Sequence, residues 1–361
     1  MKILHTADVH LRQVEDDRWQ ALTTIIDQAK DLQVDALTIG GDLFDQDLNA
    51  NQIRQELRVL LADLPFKVII IPGNHDLKSF DQGFYFGENV ELIDQLGQKI
   101  ELDGTDIWGI PFDTLTGSQL LGAISELNQK LNPEKTNVLL FHGELTDIFF
   151  KPEEFGDEGQ ERYLPLKLNY LDQTKFDYVL AGHFHKNFIV KRLTNKRLKQ
   201  GGFFVYPGSP VSITTKEIGP RSAALIEPNK APVAVTLNTH HYQPVKLELD
   251  PGQDQKSLQN FEKQLKKLDQ LSTGLIELKG YFNQTKLDLT EKQLIVKIEQ
   301  LATKYHSQLN EKQTKVKDIN LVLDSGIYQA FQQQLTQTQL KAKEKQSLEK
   351  LLIEAMMRVN S

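Results

Sequence analysis

Five short clusters in this chain carry side chains able to bind a divalent metal ion: Asp8 with His10, Asp42, Asn74 with His75 and Asp76, His142, and His183 with His185. Alternate residues of an extended segment point the same way, so both imidazoles of His183-x-His185 can reach one space. The donors are carboxylate, amide oxygen and imidazole, a set that suits Mn, Fe, Zn or Mg more than soft metals. Seven candidate ligands, Asp8, His10, Asp42, Asn74, His142, His183 and His185, are too many for one catalytic ion. They suit two ions sharing a bridging carboxylate, which can hold a hydroxide and clamp both oxygens of an in-line phosphoryl displacement. Singly, each cluster has a plainer explanation: a capping Asp, a Gly-Asp turn or a satisfied core histidine. Together they do not, because five of the nine histidines stand at the same kind of position.

That position is the end of a short apolar run. The runs at 3–4, 36–39, 68–71, 138–141 and 178–181 each lead into one cluster. Short, rich in Val and Ile and bounded by Gly or Pro, they read as buried strands. Between them, residues 19–32, 53–64 and 117–131 repeat apolar positions at the spacing of one helix face. The alternation predicts an α/β layered core. Its polar clusters lie beyond the carboxyl ends of the strands of one inferred sheet, where ligands bind in such folds.

The pattern changes near residue 240. Strands are predicted at 245–249, 275–282 and 316–323, with helices at 257–271 and 291–305. This is a smaller α+β unit without His or Gly-rich motifs. Residues 329–359 read as a Gln-rich tail of one or two amphipathic helices, whose apolar stripe needs either a partner or the chain's own domain to cover it. The organisation is thus 1–240, 241–326 and 327–361. Lys263, Lys266 and Lys267 could touch phosphates or simply line a solvated helix face.

Composition excludes whole classes of chemistry. The 361 residues include no cysteine, so disulfides, zinc–thiolate sites, iron–sulfur clusters and Cys nucleophiles are absent. The formal net charge of -7 argues against a protein that coats nucleic acid. The charge is uneven: residues 1–239 hold 24 Lys and Arg against 34 Asp and Glu, residues 240–361 hold 18 against 15. The longest apolar runs are far too short to span a membrane, and residues 1–5 lead straight into a polar motif. A cytoplasmic protein without membrane association is expected.

The ordered set Asp8-x-His10, Gly41-Asp42-Leu43-Phe44-Asp45, Gly73-Asn74-His75-Asp76, His142-Gly143 and Gly182-His183-x-His185 resembles the calcineurin-like metallophosphoesterase superfamily. Within it, His5-Thr6-Ala7-Asp8-Val9-His10-Leu11, Gly41-Asp42-Leu43-Phe44-Asp45 and Tyr206-Pro207-Gly208-Ser209-Pro210 resemble the Mre11/SbcD nuclease branch. The resemblance implies a four-layer α/β/β/α sandwich with a capping domain and a helical tail. It implies that Asp8, His10 and His185 hold one ion, that Asn74, His142 and His183 hold the other, and that Asp42 bridges them. His75 would act as general acid, with Asp45 hydrogen-bonding and orienting it. The implied activity is an Mn-dependent DNA exonuclease or endonuclease subunit in repair or recombination. The implied partners are DNA, an SbcC/Rad50-like coiled-coil ATPase bound at the tail, and a second copy of the chain through helices such as 19–32 or 53–64.

The chain departs from that branch in places. Val9 and Arg12 stand where its first motif commonly has Trp and Gly, and 46–51 lacks the usual Pro-containing segment. Residues 149–166 are acidic, with Glu153, Glu154, Asp157, Glu158 and Glu161, and would repel a phosphate backbone if they lay beside the site. These departures leave two other functions in view: hydrolysis of small phosphodiesters such as cyclic nucleotides, and a non-catalytic scaffold of a DNA-processing assembly.

Overall fold

Strands β1 (Ile3–Thr6), β2 (Ala36–Gly40) and β3 (Lys67–Ile71) bury apolar side chains on both faces. In β3, Val68 and Ile70 pack outward with Leu22 and Ile53, whereas Ile69 and Ile71 pack inward with Ile107 and Val138. Period-two burial on both sides requires a layer above and a layer below, and the computed structural model shows both. It describes residues 1–80, 85–113, 115, 117–146, 164–194, 201–250 and 253–359. Most of the acidic segment at 149–166 lies outside the described residues.

Two compact units are present, Met1–His241 and Tyr242–Ser361. The first contains two six-stranded sheets. One runs parallel through β1, β2, β3 and β4 (Val90–Leu92) and is extended beyond β1 by the antiparallel β11 (Ser222–Ile226) and β12 (Val233–Thr236). The other carries parallel β6 (Thr105–Ile110), β7 (Thr136–His142), β8 (Tyr178–Gly182) and β10 (Gly202–Tyr206). Its antiparallel edges are β5 (Lys99–Leu102) and β9 (Ile189–Leu193).

Helices α1 (Asp17–Asp31) and α2 (Asp47–Leu61) cover the outer face of the first sheet. Helices α3 (Gly117–Lys130) and α4 (Leu168–Leu171) cover that of the second. Between the sheets lies a third cluster of Ile3, Ala36, Ile69, Leu140, Leu180 and Val205. The result is an α/β/β/α sandwich. This corrects the single inferred sheet: the apolar runs end in two sheets, because each parallel strand needs one partner for each of its faces.

The second unit holds β13 (His241–Leu249), β14 (Ser272–Phe282), β15 (Gln308–Leu309) and β16 (Lys315–Asp318) in one sheet. Helices α5 (Asp254–Leu265) and α7 (Glu291–Lys304) pack on it through Phe261, Leu294 and Ile298, and the short α6 (Gln284–Leu287) joins β14 to α7. The strand predicted at 316–323 is half helix: after β16 the chain turns into α8 (Asn320–Leu323) so that Ile319 and Val322 can be buried. Helices α9 (Gly326–Gln337) and α10 (Ala342–Val359) belong to this unit, since Ile353 of α10 packs on Ile319 and Val322. Lys266 of the predicted phosphate-facing trio pairs with Glu262 at 3.1 Å. Among the described residues no helix is long and apolar enough to cross a membrane.

Candidate metal centre

The site forms where the carboxyl ends of both sheets meet. β1 leads to Asp8 and His10, β2 to Asp42, and β3 to Asn74 and His75; β7 ends at His142, and β8 leads to His183 and His185. All seven predicted ligands therefore converge. Three groups have ligand atoms within 4.8 Å of one another: Asp8, His10 and His185; Asp42, His142 and His183; and His10, Asp42 and His75. Asn74 joins the second group, its Oδ1 lying 3.0 Å from His142 Nε2 and 3.2 Å from His183 Nδ1.

The backbone is held in an uncommon shape to achieve this. Asp8, His10, Asp42 and His183 all have positive φ, at 56°, 52°, 50° and 98°. Each such non-glycine residue costs on the order of 1–3 kcal/mol and persists only where its surroundings enforce it. The enforcement is visible. The first two loops run side by side through Asp8 N to Gly41 O at 3.1 Å, His10 N to Asp42 O at 2.9 Å and Leu11 N to Leu43 O at 2.8 Å. His183 N donates to both carboxylate oxygens of Asp8, at 2.8 and 3.1 Å. Asp76 clamps two loops, accepting from Gly73 N at 2.7 Å and Phe44 N at 3.1 Å. Close approach also demands glycine: a Cβ on Gly41 would sit 2.0 Å from His142 Nδ1, and one on Gly73 would sit 2.0 Å from Asp42 Oδ1.

The side-chain atoms fit a cation. His142 Nδ1 lies 2.8 Å from the Gly40 carbonyl, which can only accept, so Nδ1 carries the proton. Nε2 then faces two oxygens, Asn74 Oδ1 and, at 3.3 Å, Asp42 Oδ2. Asp42 Oδ2 is buried without a hydrogen-bond partner, with His10 Nε2 3.7 Å away on its other side. His10 Nε2 and His185 Nε2 face each other at 3.2 Å. Two nitrogens each about 2.1 Å from one ion and about 100° apart lie about 3.2 Å from each other. Imidazole nitrogens converging on one another and on a buried carboxylate oxygen fit a donor set for divalent cations.

The electrostatics follow from burial and crowding. Burial pushes the Asp8 carboxyl up to about 6, although His185 and His142 oppose it. Burial and then the charge of Asp42 push Asp76 up to about 7. For His142, burial disfavours the charged ring, but Asp42 outweighs it and holds the imidazole at about 9. Burial would raise Asp42 as well, yet His142, His10 and His75 together hold it far below the carboxylate range. His10 is driven well below its ordinary value by burial, with His185 and His75 adding to the effect against Asp42.

His75 sits at the rim, half-buried, its ring edge-on to His10 with centroids 4.8 Å apart. Its backbone N donates to Asp42 Oδ1 at 2.9 Å. Its Nδ1 lies 3.0 Å from the backbone carbonyl of Asp45. This corrects the expected contact, which was to the Asp45 carboxylate. That carboxylate is taken by Arg12 Nε at 2.9 Å and Arg18 Nη1 at 2.6 Å. Arg18 Nη1 also donates to His10 O at 2.6 Å, so Asp45 and Arg18 together brace the first loop. Against the cost of its burial, the two guanidinium groups hold the Asp45 carboxyl below its ordinary value.

Three supporting residues escaped the sequence reading. Arg18 opens α1, and nothing in its spacing marks it. Glu217, fully buried, lies 3.6 Å from His185 Nδ1 and accepts from Ile213 N at 2.5 Å and Ser209 Oγ at 3.2 Å. Arg221 donates to the carbonyls of His185, Lys186 (2.8 Å) and Ser209 (3.0 Å). Both hold the Tyr206–Pro210 motif in place through Ser209. Its first residue reaches under the site as well: Tyr206 Oη donates to Gly143 O at 2.6 Å and accepts from Leu145 N at 3.2 Å. The only signal for Glu217 and Arg221 was their position just beyond that motif.

Residues 1–187 match the sequence model of the family described as calcineurin-like phosphoesterase. Solved structures resemble the chain at a distance. A Thermus thermophilus protein is 13% identical, covering 65% of this chain and 98% of its own, with a TM-score of 0.42. A dimetal phosphatase from Danio rerio is 11% identical, covering 65% and 98%, with a TM-score of 0.41. The E. coli phosphoesterase YfcE is 16% identical, covering 66% and 100%, with a TM-score of 0.31.

Proposed function

Because the chain belongs to the calcineurin-like metallophosphoesterase family, we propose that it is a phosphodiesterase acting on DNA, the nuclease subunit of an Mre11/SbcD-type assembly. That it is a metal-dependent phosphoesterase is the coarser statement on which this rests. The observation that carries the reading is the pair of ligand groups meeting at Asp42, with His75 beside them at the rim. Asp8, His10 and His185 would hold one divalent ion, Asn74, His142 and His183 the other, and Asp42 would bridge them. Manganese is the metal we propose.

When bound, two dications supply Lewis acidity that activates water and positive charge that offsets the phosphodiester. The chain's residues do the rest. The Gly40 carbonyl fixes the His142 tautomer so that Nε2 faces the centre. The Asp45 carbonyl fixes His75 Nδ1 in the same way and leaves Nε2 to give a proton to the departing oxygen. Arg18 and Asp45 keep the first loop in register with the second.

The motifs at 5–11, 41–45 and 206–210 support the nuclease branch. The second unit supports a partner: Leu321, Ile327 and Leu351 expose apolar side chains on its terminal helices, a surface for an SbcC/Rad50-like ATPase. A homodimer through α1 or α2 belongs to the same proposal. The test is incubation with Mn²⁺ and end-labelled single- and double-stranded DNA, beside bis-p-nitrophenyl phosphate. Cleavage of DNA, lost on chelation and restored by Mn²⁺, is expected. Cleavage of the small ester alone assigns small phosphodiesters as substrates. Two metals bound with neither substrate cleaved assigns a scaffold.

A further inference from the structure

A groove of about 970 Å³ follows the edge of the sheet in the second unit, near the upper end of the roughly 300–1,000 Å³ typical of ligand sites. Its floor is β16, which pairs with β14 alone among the described strands. The ladder ends where Ile319 N donates to Phe282 O at 3.0 Å. Alternate residues of a strand direct their N–H and C=O to the same side. Those of Lys315 and Lys317 therefore face β14, and those of Val316 and Asp318 face the groove. An uncovered strand edge is a template for another strand.

The walls select the occupant. Val316 packs into the core beside α7, whose Ile295 also lines the groove. The opposite face of the sheet sets Lys315 across from Lys279 and Lys317 across from Tyr281. Tyr281 packs there with Met357 of α10, which lines that side of the groove together with the exposed Leu321. Lys279 is held by Glu277 at 3.1 Å and Gln313 at 3.2 Å. Lys315 and Lys317 are exposed and pair with no described carboxylate. Glu291 and Asp318 are the acids of the lining, and Asp318 already accepts from Gln284 N at 2.9 Å and Asn320 N at 3.3 Å. Lysines on an edge keep like strands away, since a second β16 would set Lys315 and Lys317 against themselves. They favour a strand with carboxylates on that face. A nucleic-acid backbone would use the lysines but leave the outward N–H and C=O groups and the apolar walls unmet.

We propose that the β16 edge docks an acidic extended segment of another protein, which adds a strand to the sheet with carboxylates on Lys315 and Lys317 and apolar side chains towards Ile295. The proposal is independent of the phosphodiesterase reading. Leu321 alone is shared with the surface assigned above to the ATPase, and the variant below leaves it intact. The test uses the full chain and a fluorescein-labelled octapeptide of alternating Glu and Val. Binding is expected by fluorescence anisotropy, with amide exchange slowed at Val316 and Asp318. Lys315→Glu with Lys317→Glu should weaken the peptide at least about tenfold and leave the circular dichroism of the fold unchanged. The same peptide methylated at every amide nitrogen keeps its charge but cannot donate to the edge. It should also bind at least about tenfold more weakly. Equal binding of the methylated peptide, or equal binding by the double variant, overturns strand addition. Failure of the unmodified peptide to bind overturns it too, and leaves the lysines as guards of the edge. Single-stranded oligothymidylate bound more tightly than the peptide, and lost in the double variant, assigns the lysines to nucleic acid and overturns it as well.

Discussion

Nδ1 of His142, at the end of a strand in one sheet, lies 2.8 Å from the carbonyl oxygen of Gly40, at the end of a strand in the other. This one hydrogen bond couples fold and site. It ties the two sheets together at the metal centre and sets which imidazole nitrogen faces Asp42 and Asn74.

Gly41→Ala should break that coupling. The added Cβ would lie 2.0 Å from His142 Nδ1, at a residue with φ of 97°. The ring must move away from Asn74 and Asp42. The strained backbone alone costs about 1–3 kcal/mol. Metal analysis is expected to give one ion per chain in place of two, with activity on bis-p-nitrophenyl phosphate reduced by more than about 100-fold. A variant that retains both ions and full activity would contradict the role of His142.

His75→Ala should leave metal content unchanged and lower kcat by about 10²–10⁴-fold, the usual size of a general-acid contribution. The effect should shrink for esters with a good leaving group such as p-nitrophenolate, which needs little protonation. Loss of a metal ion in this variant would instead make His75 a ligand, as its place in a group with His10 and Asp42 allows.

Glu217→Gln tests the support behind His185. Removing the carboxylate 3.6 Å from Nδ1 should weaken metal affinity by about 10–100-fold, read by titration of metal-depleted protein. It also strips Arg221, nearly buried, of a nearby opposite charge. A fall in thermal midpoint with unaltered metal affinity would show that Glu217 serves only the loop at 206–217.

Acid should expose His5. This residue is fully buried, with Nδ1 3.0 Å from Thr38 Oγ1 and Nε2 3.3 Å from Ala181 O, and burial outweighs both contacts to lower its pKa to about 4. Below pH 6.5 the unfolded chain takes up a proton that the folded chain refuses until about pH 4. The stability contribution is complete above pH 6.5. It falls by about 1.4 kcal/mol per pH unit down to about pH 4, roughly 3 kcal/mol in all. His5→Gln keeps hydrogen-bonding groups without titrating. Urea midpoints of the two proteins should therefore converge as pH falls through that window, or cross; a constant gap would refute the assignment.

What the sequence determined by itself was the chemistry and its order along the chain. Oxygen and imidazole donors after short apolar runs name the ligands, since a strand end is where the backbone leaves the core and a side chain can face a ligand. What only tertiary structure decided was the meeting of donors far apart in sequence. Asp8, Asp42 and Asn74 come from one sheet and His142, His183 and His185 from the other, and local periodicity does not say which strand joins which sheet. The Asp45 contact was misread for the same reason. The resemblance implied that Asp45 orients His75 through its carboxylate, but two arginines distant from it in sequence claimed the carboxylate and left the backbone carbonyl for the ring. Glu217 and Arg221 were silent in sequence because their roles are defined by a buried carboxylate and guanidinium meeting loop carbonyls and a histidine ring, and no period or motif encodes that meeting.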